Sequence, residues 1–257
     1  MTLHSLPGRD AHFFVEVLAY FVAARVYWAV AKRQPGMPAK AERLFLLAGA
    51  VFGAFLGSKL LHVLEHLPAL LAADDALLWF AGKSVLGGFI GGTLGVELAK
   101  RLLHHQGATG DPWVPALAAG LMLGRVACQL SGTWDLTYGN PTTLPWAWNY
   151  GDGIGRHPTG LYEIILVGAL FASSWNNTQL RRSPGARFAA FLMGYCMLRF
   201  GLDFLKPPFG PAAAGALPVA VYGGLSAIQW AAVAGAAGYL LLLRFRLRQT
   251  AHLKFGN

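Results

Sequence analysis

Long apolar runs alternate with short polar connections along almost the whole chain. Seven stretches approach the roughly 20 residues that a membrane-spanning helix needs: 12–31, 44–64, 84–103, 113–131, 159–175, 185–205 and 225–243. The stretch 68–80 is too short to span and carries Asp74 and Asp75, so it predicts a helix lying in the interface. The pattern predicts an all-α, polytopic membrane protein: about seven transmembrane helices, one short interfacial helix and a polar loop over 132–158. No repeat period and no long linker divides the chain, so residues 1–257 are read as a single integral membrane domain.

Composition agrees. Of 257 residues, 55% are hydrophobic and 13% charged, against roughly 25% charged in a soluble domain. The formal net charge is +9, but it falls in connections and at the end: Lys32, Arg33, Lys40 and Arg43; Lys100 and Arg101; Arg181, Arg182 and Arg187; Arg244, Arg246, Arg248 and Lys254. The positive-inside rule then predicts the N-terminus outside and the C-terminus in the cytoplasm, with the 132–158 loop on the outer face. Basic residues scattered this way form no single soluble face, which argues against a nucleic-acid partner. The N-terminal segment has no signal-peptide pattern. Cys128 and Cys196 both lie in apolar runs and read as buried small residues rather than a disulfide.

Charges inside the predicted spans carry the chemistry. Glu16, Lys59, Arg125, Glu163, Arg199 and Asp203 are all placed in the outer half of the bilayer. A charge at a helix centre costs about 2.5–3.5 kcal/mol on insertion scales, so these groups must pair or line a wet cavity. Arg199 and Asp203 are spaced i, i+4 and share a helix face. One reading is a structural ion-pair network. The other is an outward-opening anion site, since guanidinium forks match phosphate oxygens and the abundant phosphate of a bilayer is a lipid headgroup.

Gly87, Gly91 and Gly95 recur every four residues, which suits close helix packing. Gly87 and Gly88, at a helix start, could also offer N–H groups to an anion. Pro158 suits a first helical turn and would hold His157 at the rim, where an imidazole can serve as acid or base. Asp135, Asp152 and Arg156 lie nearby in the sequence. No His, Cys or Asp spacing suggests a metal, and no cofactor is expected.

From Gly57 to Gln229 the chain resembles the bacterial prolipoprotein diacylglyceryl transferase family. The resemblance is carried in order by Gly57-Ser58-Lys59-Leu60, Gly87-Gly88-Phe89-Ile90-Gly91, Gly124-Arg125, Gly139-Asn140-Pro141-Thr142 with Leu144-Pro145-Trp146, His157-Pro158-Thr159-Gly160-Leu161-Tyr162-Glu163, Arg199 with Asp203, and Gln229. It implies an enzyme of the bacterial inner membrane that binds phosphatidylglycerol. Such an enzyme moves the diacylglyceryl group to the lipobox cysteine of an exported preprotein and releases glycerol phosphate. It implies that Arg125 and Arg199 clamp the phosphate, with His157, Glu163 and Asp203, in that order, as candidate bases. Gly87, Gly88, Lys59, Glu16, Asp135, Gly139, Tyr162 and Gln229 would bind substrate. Cys128 and Ser131-Gly132-Thr133 stand where the family has asparagine and an N-G-E glutamate, and Leu86 stands where it often has histidine or tyrosine. Glu16, Lys59 and Asp203 stand for a tyrosine, an arginine and a glutamate. These departures keep two alternatives open: a phospholipid-dependent transferase with another acceptor, and a phospholipid-binding membrane protein that is not an enzyme.

Overall fold

The structure, a computed structural model, describes residues 8–134, 136–210 and 215–255. The long helices are α1 (Gly8–Ala31), α2 (Lys40–Ala72), α4 (Val85–Leu102), α5 (Trp113–Leu130), α6 (Thr159–Asn176), α8 (Ala186–Asp203) and α9 (Ala227–Phe255). Two short helices, α3 (Leu78–Ala81) and α7 (Thr178–Arg182), lie in connections. Two small antiparallel hairpins complete the described residues: β1 (Trp148–Asn149) with β2 (Gly155–Arg156), and β3 (Val221–Tyr222) with β4 (Leu225–Ser226).

By length, hydropathy and charge, α1, α2, α5 and α9 are each apolar enough to cross a membrane. The other three carry charged residues that dilute that signal. Glu97, Lys100 and Arg101 lie in α4, Glu163 in α6, and Arg187, Arg199 and Asp203 in α8. Phe13, Phe14 and Phe21 on α1 and Phe52 on α2 are exposed, an apolar surface that water would penalise.

The expected interfacial helix over 68–80 forms in two pieces. Pro68 does not end α2 but bends it, with His66 at φ −121° and ψ 15°. The helix continues to Ala72, and α3 follows as a separate turn. The bend has a local cause. Proline has no N–H to give the carbonyl four residues back and its ring crowds that carbonyl. The released carbonyl is Leu64 O, which accepts the Tyr222 hydroxyl at 2.6 Å, and the next, Glu65 O, accepts Ala220 N–H at 2.7 Å. The bend therefore fastens the 205–226 connection to α2.

Glycine sets the tightest contact. Helices α2 and α4 run antiparallel with Gly49, Gly53 and Gly57 against Gly95, Gly91 and Gly87. A Cβ on Gly53 would sit 2.3 Å from Gly91 O, and one on Gly57 would sit 2.3 Å from Gly87 O. The four-residue spacing thus has a packing purpose. Helix α1 packs on α5 instead, through Tyr27 and Trp113, whose rings lie 4.2 Å apart. The core joins α4, α5, α6, α8 and α9 through Leu86, Val114, Val167, Phe191, Tyr195 and Ile228. At the basic end of the bundle, buried Asp111 accepts the N–H groups of Gly185 and Phe188 at 2.7 and 3.0 Å, anchoring the start of α8.

Candidate active site

Three helix positions converge at the opposite end, beneath the 131–158 loop. Arg125 lies in the last two turns of α5, Glu163 in the second turn of α6 and Arg199 in the last two turns of α8. Arg125 Nε meets Glu163 Oε2 at 2.8 Å, and Arg199 Nη1 meets the same oxygen at 3.3 Å. Tyr195, one turn before Arg199, donates its hydroxyl to Glu163 Oε1 at 3.0 Å. The Glu163 side chain is 1% exposed, so both carboxylate oxygens are committed inside the protein.

A second carboxylate flanks the pair. Asp203 Oδ1 lies 3.8 Å from Arg199 Nη2, and Asp203 Oδ2 accepts the Ser226 hydroxyl at 2.6 Å. Ser226 and Gln229 form a reciprocal cap at the start of α9: Ser226 N–H donates to Gln229 Oε1 at 2.9 Å, and Gln229 N–H donates to Ser226 Oγ at 3.1 Å. Gln229 therefore shapes the site by holding Ser226, which holds Asp203. Arg125 also donates to Cys128 Sγ at 3.5 Å, so the departure at position 128 touches the arginine itself.

Lys206 adds a cation that the sequence reading did not single out. It lies just beyond α8, feels the charges of Arg199, Arg125 and Glu163, and its ammonium makes no hydrogen bond or ion pair among the described residues. Burial, with the two guanidiniums beside it, pushes its ammonium down to about 7. Glu65 was missed too; it is largely buried near the bend of α2, where the charges of Asp203, Arg199 and Lys206 reach it. Helical spacing could have found Tyr195, four residues before Arg199. Nothing in the sequence flags Glu65 or Lys206 short of the tertiary fold.

The loop is docked over this cluster. Asn140 N–H donates to Leu205 O at 2.7 Å, and His157 N–H donates to Asn140 O at 3.0 Å. Gly139 N–H donates to His157 O at 3.0 Å. Any Cβ on Gly139 would stand 2.6 Å from His157 Cβ, which explains the glycine. His157 Nδ1 lies 3.3 Å from the Tyr162 hydroxyl, which also accepts the Trp146 indole N–H at 2.8 Å. These hydrogen bonds tie His157, Tyr162 and Trp146 to one another. Asp152 and Arg156 are paired with each other, both contacts at 2.7 Å. The Arg156 hydrogen bond holds the Asp152 carboxyl below its usual range. Asp135 lies outside the described residues.

Four of the sequence-predicted residues sit elsewhere. The Lys59 ammonium donates to Phe80 O and, at 2.7 Å, to Gly82 O, closing the end of α3 rather than joining the arginines. Glu16 pairs with Lys83 and accepts the Tyr20 hydroxyl at 2.8 Å. Gly87 and Gly88 have no N–H to spare for an anion: Gly87 N–H reaches Ser84 Oγ at 3.4 Å and Gly88 N–H reaches Ser84 O at 3.0 Å. The physical reason is the Ser84 cap that starts α4. Lys59, Glu16 and Gly88 instead line a largely apolar cavity of about 650 Å³ between the α1–α5 and α2–α4 pairs.

Chemically, the cluster offers two fixed guanidiniums and a nearby ammonium, set against Glu163, shared between the arginines, and Asp203 beside Arg199. Hydrogen-bond donors fixed in advance in a dry setting stabilise charge that develops on an anion. Among the described residues no His, Cys, Asp and Glu group could hold a metal ion.

These features define a polytopic helical membrane protein with a buried, arginine-based polar centre at one end of its bundle. The family described as prolipoprotein diacylglyceryl transferase matches residues 13–244, and the chain belongs to that family. It is similar to the phosphatidylglycerol–prolipoprotein diacylglyceryl transferase of Bordetella parapertussis, 35% identical over 218 residues and 77% of each chain. The transferase of the same name from Aromatoleum aromaticum is 33% identical over 86% of this chain and 83% of its own. That of Zymomonas mobilis is 32% identical over 81% and 74%.

Proposed function

We propose that this protein transfers the diacylglyceryl group of phosphatidylglycerol to the lipobox cysteine thiol of exported prolipoproteins, releasing glycerol phosphate. One observation carries the reading: Arg125 and Arg199 share the single carboxylate of Glu163. Glu163 and Asp203 offset the two guanidiniums, and Lys206 adds a third cation for the lipid phosphate. In the reaction the cysteine sulfur forms a bond to the glyceryl carbon that carries the phosphate ester. The C–O bond breaks, and its electron pair leaves with the phosphate oxygen. Arg125 and Arg199 bind the phosphate and meet the charge that grows on it, while Glu163 and Tyr195 hold both arginines in register. Asp203, tied to Arg199 and Ser226, orients the second arginine, and His157, Tyr162 and Gly139 shape the rim through which the acceptor enters.

In this reading the end bearing the 131–158 loop faces the outer side of a bacterial inner membrane. The N-terminus is then outside and the basic C-terminus cytoplasmic, as the loop charges favour. The test is direct. Purified protein is incubated with phosphatidylglycerol and a lipobox peptide, and the peptide is weighed by mass spectrometry. A thioether-linked diacylglyceryl adduct is expected; bound phospholipid with no adduct would sink the reading.

A further inference from the structure

The cavity between the two helix pairs plays no part in the polar centre. Helix α1 packs on α5 and α2 packs on α4, but the pairs hardly touch each other. The space between them is about 650 Å³, within the roughly 300–1,000 Å³ of a ligand pocket. Ala54, Phe89, Leu117 and Leu192 are among its largely apolar walls, and neither Arg125 nor Arg199 borders it. It follows α4 from Ser84 to Lys100, about 24 Å at 1.5 Å per residue, the reach of a long acyl chain.

The two ends differ in how their charges are met. Where α4 starts, Glu16 pairs with Lys83, and the carbonyls of Phe80 and Gly82 take up Lys59. At the basic end, Lys100 holds Glu97 at 2.7 Å, and Asp111 commits both oxygens to the N–H groups of Gly185 and Phe188. Two guanidiniums are left over there. Arg246 lines the cavity, and its side chain makes no hydrogen bond or ion pair among the described residues. A Cβ placed on Gly185 would stand 3.3 Å from Arg246 Nε and 3.2 Å from Ala108 Cβ, so this guanidinium lies against the 108–110 connection. Arg43 lies on the other side of Thr109, in a small recess that shares Val96, Thr109 and Trp113 with the cavity. Its Nε is buried and has no hydrogen-bond partner among the described residues. A buried donor left unmet calls for a partner, and a guanidinium fork matches phosphate oxygens.

We propose that this cavity is a second phospholipid site, separate from the arginine centre. The lipid phosphate lies between Arg43 and Arg246, and one acyl chain extends along α4. The charge at the basic end selects an anionic headgroup, and the apolar walls take the chain. The bound chain supplies packing that the two helix pairs do not give each other. The site does not depend on the transfer reaction, because none of its residues belongs to the polar centre.

The test titrates the full chain, purified in detergent, with phosphatidylglycerol and separately with diacylglycerol of the same chains. Bound lipids are counted by native mass spectrometry. One phosphatidylglycerol is expected whose affinity falls about 10-fold or more in Arg43→Gln combined with Arg246→Gln, and which Arg125→Lys leaves within about threefold. Arg43→Lys combined with Arg246→Lys keeps the charge and loses less, which shows that the site survives substitution. Leu117→Trp narrows the cavity without altering a charge and weakens the same lipid, and diacylglycerol binds at least about 10-fold less tightly. Absence of any phosphatidylglycerol that the glutamine pair weakens overturns the proposal. Equal loss in the lysine pair, or equal affinity for diacylglycerol, also overturns it, since charge would then bind nothing. Unchanged affinity in Leu117→Trp does so too, since the chain would then lie outside the cavity. A lipid that depends on Arg125 but not on Arg43 leaves the transfer reading standing and sinks this one; the reverse result does the opposite.

Discussion

Arg125 reaches Glu163 across the α5–α6 contact at 2.8 Å, through its Nε, on the oxygen that Arg199 approaches from the other side. Removing the carboxylate leaves two buried guanidiniums facing each other. Breaking a buried pair from one side costs about 3–5 kcal/mol. Glu163→Gln is expected to lower thermal stability in detergent and to abolish transfer, whereas Tyr195→Phe, which removes one donor to the carboxylate, costs about 1.5–3 kcal/mol. Thermal unfolding of the two variants side by side checks the order.

The arginines are expected to be unequal to lysine. A lysine keeps the charge but loses the planar fork that matches a phosphate. Arg125→Lys and Arg199→Lys should each insert in the membrane and each lose about 100- to 1000-fold in kcat, the loss typical of one electrostatic donor. Retention of more than a tenth of the rate in either would remove that arginine from the phosphate contact.

Lys206 makes phospholipid affinity depend on pH. Its ammonium is held at about 7 by burial and by Arg199 and Arg125. Below that pH the third cation is already present when an anion arrives. Above it, binding has to take up a proton, so affinity should weaken as pH rises through 7 and beyond. Lys206→Arg, charged throughout, is expected to flatten the profile. Titration of phosphatidylglycerol binding from pH 6 to 9 (about the range of interest around a neutral group) measures both curves; parallel slopes would count against the role of Lys206.

Gly91→Ala is expected to destabilise the bundle without touching the polar centre. The added methyl would stand 2.2 Å from Gly53 O, with backbone on both sides and no flexible side chain to yield. Overpacking of this kind costs about 1–3 kcal/mol. Gly88→Ala, whose Cβ would have nothing nearer than 3.7 Å, is the matched control and should melt like the unsubstituted protein.

Much of this arrangement was legible in the sequence because the bilayer simplifies it. Apolar runs mark the helices, and charges that interrupt them are few enough to be conspicuous. Arg125, Glu163, Arg199 and Asp203 were each visible on that ground, and they meet. Lys59 and Glu16 were visible for the same reason, yet carbonyls of α3 and the Lys83 ammonium satisfy them. A sequence registers the cost of a buried charge but not which partner meets it. Lys206 escaped notice because it lies just beyond a helix, and Glu65 because it falls just past the predicted span 44–64, places where a charge is ordinary. Only the bend of α2 and the docking of the 205–226 connection turn them inward. Gln229 was found by motif, and its work is one step removed, through the Ser226 cap.

Pro68 shows how a defect becomes a fastening. A residue with a free N–H at that position would close the helix on itself and satisfy the Leu64 carbonyl internally. Tyr222 would then share that carbonyl with a helical N–H, and the strand that carries it would be held less firmly. The imino acid leaves a vacant hook on an otherwise sealed rod, and the connection carrying Tyr222 is moored there.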